Sequence, residues 1–336
     1  MIYPKRVFGL VLIFAAIFLT SCDRLGIEVQ LPDIIGNDGE AVNETINEPV
    51  IIPPPAGLRR AFEPREMRLP SPGSTYIYEN NVVIDTSNVS HGYVMVRYTG
   101  DASRVAVQIF AEHLEDPQNY FIYEMGNWEV FPLVRGNGAY TVNVLENVEG
   151  QMFALALSKT FDVNLVHHTY PFLYPNQFVN FSPDSRAIAL ASQLAQGADD
   201  DFEVIFNIYS FIINNITYNF DLAHAVDDGN VTSYVPDIDA VLAAGTGICF
   251  DYASLMAAML RAQHIPTRLD IGFVSGGIFH AWISIYTPET GWVGVMNFDG
   301  AEWNLVDPTF SAGALQGGDI SQFVGNADDY HLMFIH

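Results

Sequence analysis

The apolar positions of this chain change period twice. Between residues 71 and 166 they alternate with polar ones in short runs. Tyr93-Val94-Met95-Val96-Arg97-Tyr98 has a period of two, the signature of a half-buried strand. Val105, Val107 and Ile109 share one face of a second run, and Tyr140, Val142 and Val144 one face of a third. Gly100-Asp101 and Gly136-Asn137-Gly138 punctuate these runs as turns. About six or seven strands fit, predicting a small immunoglobulin-like β-sandwich over 71–166.

After the connector Pro171-Phe172-Leu173-Tyr174-Pro175 the spacing becomes helical. Ser182-Pro183-Asp184 predicts a helix start, with Ile188, Leu190, Ala191 and Leu194 turned inward. Asp199-Asp200-Asp201 suits the positive end of a second helix, whose apolar set includes Val204, Ile205, Ile208, Phe211 and Ile212. Asp237-Ile238-Asp239 opens a short helix that ends at Gly245, and another runs from Cys249 to about Ala262. Alternation then returns over 268–274, 279–286, 292–298 and 302–306. Helices followed by consecutive, closely linked strands predict an α+β domain with an antiparallel sheet over 167–336.

The first 70 residues fit neither pattern. Lys5 and Arg6 precede an apolar run over 7–20 that is short for a membrane span, so residues 1–21 read as a signal peptide. The run ends in Leu19-Thr20-Ser21-Cys22, which resembles the lipobox of bacterial lipoproteins. That resemblance implies lipidation of Cys22 and an extracytoplasmic protein held on a bacterial membrane by its N-terminal lipid. Residues 22–70 are rich in Pro, Asn, Asp and Glu and almost free of aromatics, and they read as a disordered tether.

Charge narrows the partners. The formal net charge is −25, and Arg261 and Arg268 are the only Lys or Arg after Arg186. A nucleic-acid partner is not expected. Acidic pairs such as Asp227-Asp228 and Asp328-Asp329 match no calcium loop, and no spaced zinc set occurs, so neither metal nor other cofactor is expected. The sandwich region carries no nucleophile or acid–base cluster. Its exposed aromatics, of which Trp128 is the example, leave a carbohydrate- or protein-binding role open.

The chemistry concentrates around Cys249. With Cys22 in the export segment, Cys249 has no partner for an internal disulfide. Gly245-Thr246-Gly247 lets the chain turn sharply and sets the thiol in the first turn of a helix, where free N–H groups and the dipole favour a thiolate. His280, at the start of one strand, can serve as base and later as acid. Asp307, at the end of another, can orient the ring. The Cys249 N–H is a natural oxyanion donor, and Tyr218 and Tyr252 are candidates for a second.

Four separated blocks resemble the transglutaminase-like superfamily. They are Gly247-Ile248-Cys249-Phe250-Asp251-Tyr252-Ala253; Leu260-Arg261 with Ile265-Pro266-Thr267-Arg268; His280-Ala281-Trp282; and Trp303 with Asp307-Pro308-Thr309. The resemblance covers about residues 185–310 and implies a papain-like, transglutaminase-like core with Cys249 as nucleophile, His280 as base and acid, and Asp307 as orienter. It departs at Gln263-His264, where the family usually has a small residue and Gly; His264 is expected to cap the helix end or lie on its surface. The superfamily includes peptidases, transamidases and members without known activity. The expected function is a peptidase or amidase acting on protein or peptide substrates through a thioester. A protein-glutamine transamidase and a non-catalytic surface-binding module are the alternatives. Oligomeric state is not legible.

Overall fold

The computed structural model describes residues 66–112, 116–274, 277–288, 290–294, 296–298, 303–305, 307–309, 312 and 330–336. The proposed leader, Cys22 and nearly all of the tether lie outside the described residues. Among the described residues, no helix is long and apolar enough to cross a membrane.

The chain first builds eight strands: β1 (Tyr76–Glu79), β2 (Val82–Asp85), β3 (Tyr93–Tyr98), β4 (Val105–Ala111), β5 (Gln118–Phe121), β6 (Trp128–Pro132), β7 (Gly138–Glu149) and β8 (Met152–Val163). They form two four-stranded antiparallel sheets, ordered β1-β2-β3-β6 and β5-β4-β7-β8. Between the sheets Val82, Ile84, Val94, Val96 and Tyr98 meet Val105, Val107, Ile109, Val142 and Val144. These are the alternate positions that the pattern of two selects. The strand count exceeds the six or seven expected because short β1 and β5 offer too few alternating residues to register. In β3 the opposite face is buried as well: Tyr93 and Met95 pack on Tyr174 of the connector. Trp128 is not an open aromatic, because the Arg97 guanidinium lies 4.8 Å from its ring centroid.

The second region carries five helices: α1 (Arg186–Leu194), α2 (Asp201–Asn215), α3 (Phe220–Asp227), α4 (Ile238–Ala244) and α5 (Cys249–Ala262). The two-residue strands β9 (Thr217–Tyr218) and β10 (Thr246–Gly247) pair in parallel beside the start of α5. Side chains close most helix starts. Asp200 accepts the Glu203 N–H at 2.9 Å, Asn219 that of Leu222 at 2.9 Å, and Asp237 those of Asp239 and Ala240 at 3.0 Å. α1 begins later than Ser182-Pro183-Asp184 suggests, since Asp239 of α4 accepts the Arg186 and Ala187 N–H groups at 3.0 and 2.9 Å. A cap supplied from another helix leaves no local signature.

The remaining strands are β11 (Thr267–Val274), β12 (Ile278–Thr287), β13 (Gly291–Gly294), β14 (Met296–Phe298), β15 (Trp303–Leu305) and β16 (His331–Ile335). β13-β12-β11-β16 form an antiparallel sheet, and β14 and β15 a separate antiparallel ribbon. The single strand expected over 292–298 is thus two. α5 is sandwiched between α1, α2 and α4 on one side and β11 and β12 on the other. Its residues from Asp251 to Ala262 are all buried, as an almost wholly apolar helix requires.

β16 joins the two regions. The Gln118 side chain on β5 donates to the Ile335 carbonyl at 2.8 Å, and the His336 ring packs against Tyr120 and Phe178. Burial pushes the His336 imidazole down to about 3, with the nearby Arg261 and Arg135 charges acting the same way, so the ring is neutral.

Candidate active site

The turn into α5 sets the geometry. Gly245 closes α4 in the left-handed conformation at φ 64°, and β10 then runs beside β9. A side chain at Gly247 would put its Cβ 2.7 Å from the Asp251 Cβ, so this approach requires glycine. Cys249 follows as the first residue of α5, with Ile248 as its N-cap, and the thiol is half-buried. The Ile248 N–H is taken by the Asp251 carboxylate at 2.8 Å, and the Asp251 N–H by the Ile248 carbonyl at 2.9 Å. Cys249 and Phe250 occupy the first two helical positions, whose N–H groups have no acceptor within a helix.

His280 comes from β12, opposite Gly272 of β11. At Gly272 a Cβ would meet the His331 carbonyl oxygen of β16 at 2.0 Å, so glycine lets the three strands pass. His280 Nε2 lies 2.9 Å from Asp307 Oδ2, and both side chains are buried. The same imidazole hydrogen-bonds the Cys249 side chain. With Nε2 facing Asp307, Nδ1 is the atom left to face sulfur. Burial alone would lower the imidazole; the Asp307 carboxylate foremost, with Cys249, more than offsets it and lifts the group to about 10. His280 is therefore an imidazolium at neutral pH. The Trp282 ring stacks alongside it at 6.3 Å, and Tyr330 meets Trp282 edge-on at 5.0 Å. Asp307 stands two residues beyond β15, and its other oxygen accepts the Thr309 N–H at 2.8 Å.

The structure brings Cys249, His280 and Asp307 together from a helix start, a sheet strand and a hairpin end. Tyr252 does not join them. It is fully buried, and its hydroxyl donates to the Ile216 carbonyl at 2.6 Å. Tyr218 lies on β9 in register with Gly247, beside the turn that delivers the thiol. His264 follows α5 at φ 63°, the left-handed conformation that glycine adopts without strain. Asp251 went unassigned in the sequence, although a carboxylate three residues after an N-cap is a known helix-start signal. Among the described residues, no three His, Cys, Asp or Glu side chains are grouped to hold a metal.

Residues 188–296 match the model of the transglutaminase-like superfamily, a span that includes Cys249 and His280 and stops short of Asp307. The uncharacterized protein YebA of Bacillus subtilis is 24% identical over 212 residues, which is 55% of this chain and 27% of YebA. The chain thus spans about a quarter of that relative's length. Among solved structures, the periplasmic domain of TgpA from Pseudomonas aeruginosa is similar at 16% identity and a TM-score of 0.30, covering 71% of this chain and 96% of that domain. A candidate cysteine protease from Cytophaga hutchinsonii matches at 16% identity and a TM-score of 0.31, over 65% of this chain and 78% of its own. Red sea bream transglutaminase matches at 11% identity and a TM-score of 0.22, over 65% of this chain and 48% of its own.

Proposed function

We propose that this chain, with its transglutaminase-like core, is an exported, lipid-anchored cysteine enzyme that hydrolyses peptide or carboxamide bonds. The Cys249 thiolate attacks the carbonyl carbon, and the oxygen takes up negative charge against the N–H groups at the start of α5. The C–N bond then breaks, and the amine or ammonia leaves with the proton of His280. Water attacks the thioester while His280 takes one of its protons. The thiolate is expelled and the acid is released. Asp307 keeps the ring oriented and balances the imidazolium throughout. The observation that carries this reading is the buried imidazole, bonded to a carboxylate 2.9 Å away on one side and to the thiol on the other.

Transfer of the acyl group to an amine instead of water is the rival outcome. Incubation with glutamine-containing peptides and hydroxylamine separates them. New peptide N-termini are expected; hydroxamate on glutamine side chains would replace hydrolysis with transamidation. Neither product from wild type, with Cys249→Ala behaving identically, would leave a non-catalytic module. Anchoring through Cys22 predicts that Cys22→Ala releases the protein from membranes or blocks its processing, and unchanged membrane association would refute it.

A further inference from the structure

We infer that Asp251, gripped by Tyr234, is a positioning residue that aims the Cys249 N–H at the oxygen of the attacked carbonyl. The inference rests on Cys249 being the nucleophile. Asp251 is fully buried two residues beyond the thiol, an unfavourable place for a carboxylate beside a thiolate and a developing oxyanion. Both of its oxygens are engaged. One accepts the Ile248 N–H at 2.8 Å, and the other accepts the Tyr234 hydroxyl at 2.7 Å.

The first bond fixes the peptide plane between Gly247 and Ile248, immediately before the peptide that carries the Cys249 N–H. It also withdraws the Ile248 N–H from the mouth of the helix, so the donors left there are those of Cys249 and Phe250. At Gly247 an added Cβ would stand 2.7 Å from the Asp251 Cβ, so the turn passes close to this side chain. The second bond ties this arrangement to the segment between α3 and α4. There Val231 and Tyr234 pack with Ala223, Val226 and Ile248, and the Val231 N–H donates to the Ala225 carbonyl at 3.0 Å. A buried anion so close to the thiol is understandable if its task is to hold the oxyanion donor.

Two reactions of the full chain separate aim from general integrity. Acylation of Cys249 by p-nitrophenyl acetate passes through an oxyanion. Alkylation by iodoacetamide at pH 6 is a displacement at carbon that needs the thiolate and no oxyanion donor. Asp251→Ala should slow acylation about tenfold or more and change alkylation by less than about twofold. Asp251→Asn keeps an oxygen for the Ile248 N–H and should stay within about threefold of wild type in both reactions. Tyr234→Phe, the mildest change, should slow acylation about threefold with alkylation unchanged, and it serves if Asp251→Ala does not fold. Equal losses in both reactions, no loss in either, or an Asn variant as slow as the Ala variant would overturn the inference alone. Absence of His280-dependent alkylation in the unmodified chain would remove the nucleophile itself, and the inference with it.

Discussion

The two ends of α5 are treated in opposite ways. At its start, the N–H groups of Cys249 and Phe250 have no acceptor within the helix and the thiol is half-buried. At its end, Arg261 is completely buried and each of its three nitrogens donates a hydrogen bond. It donates at 2.8 Å to the carbonyls of Tyr174, Thr267 and His336. Those belong to the connector, the start of β11 and the residue after β16. Burial lowers the guanidinium to about 9, partly opposed by Asp270, so it stays charged at neutral pH. One end of the helix thus leaves N–H groups without an acceptor inside it, while the other ties three segments together through one side chain.

The sharpest way to break this contrast is Arg261→Met. The carbonyls of Tyr174 and Thr267 would lose the guanidinium donor at about 1–3 kcal/mol each, while that of His336 keeps the Leu269 N–H, so a stability loss of about 3 kcal/mol or more is expected in urea unfolding. A loss below about 1 kcal/mol would mean that the frame does not depend on the far end.

A second effect is expected at the start of α5, and it depends on pH. The folded His280 imidazole sits near 10, above its ordinary 6.5. Its contribution to stability should therefore be fully present below about pH 6.5 and disappear as pH rises through about 10. Unfolding of wild type and His280→Gln across that window should show the two curves converging upward in pH. Convergence toward acid instead would reverse the assignment. In the same variant, alkylation of Cys249 at pH 6 should fall about a hundredfold.

The smallest effect is expected in the first turn of α5, at Tyr252. Tyr252→Phe removes one hydrogen bond to the Ile216 carbonyl and should cost about 1 kcal/mol, with acylation of Cys249 unchanged within about twofold. A large loss of acylation with intact stability would return Tyr252 to the candidates for oxyanion donor.

Much of the frame was legible in the chain because its causes are local. Asp200, Asp237 and Gly245 mark helix ends by hydrogen bonds and backbone conformations reached within a few residues, so α2, α4 and α5 fall close to where periodicity puts them. Three elements show where that reading stops. α3 is eight residues long and has no long apolar stripe; it is held by the Asn219 cap and by packing of Ala223 and Val226 on Ile248. β16 pairs with β11 about 60 residues earlier, and His331, Leu332 and Met333 are exposed, so no alternation announces it. The start of α1 depends on Asp239, a residue of another helix.

The sequence alone determined that a cysteine stands at a helix start, followed by a histidine and an aspartate in an order that resembles the transglutaminase-like superfamily. That order is written in residue types and turn chemistry, which need no tertiary contact to be read. Only the folded structure decided how those groups are held. It gave Asp251 to the turn, Tyr252 to the core and Arg261 to the junction of three segments. Each of these polar side chains is buried, and a buried polar group takes its role from whichever partner the fold brings within reach, often far away in sequence.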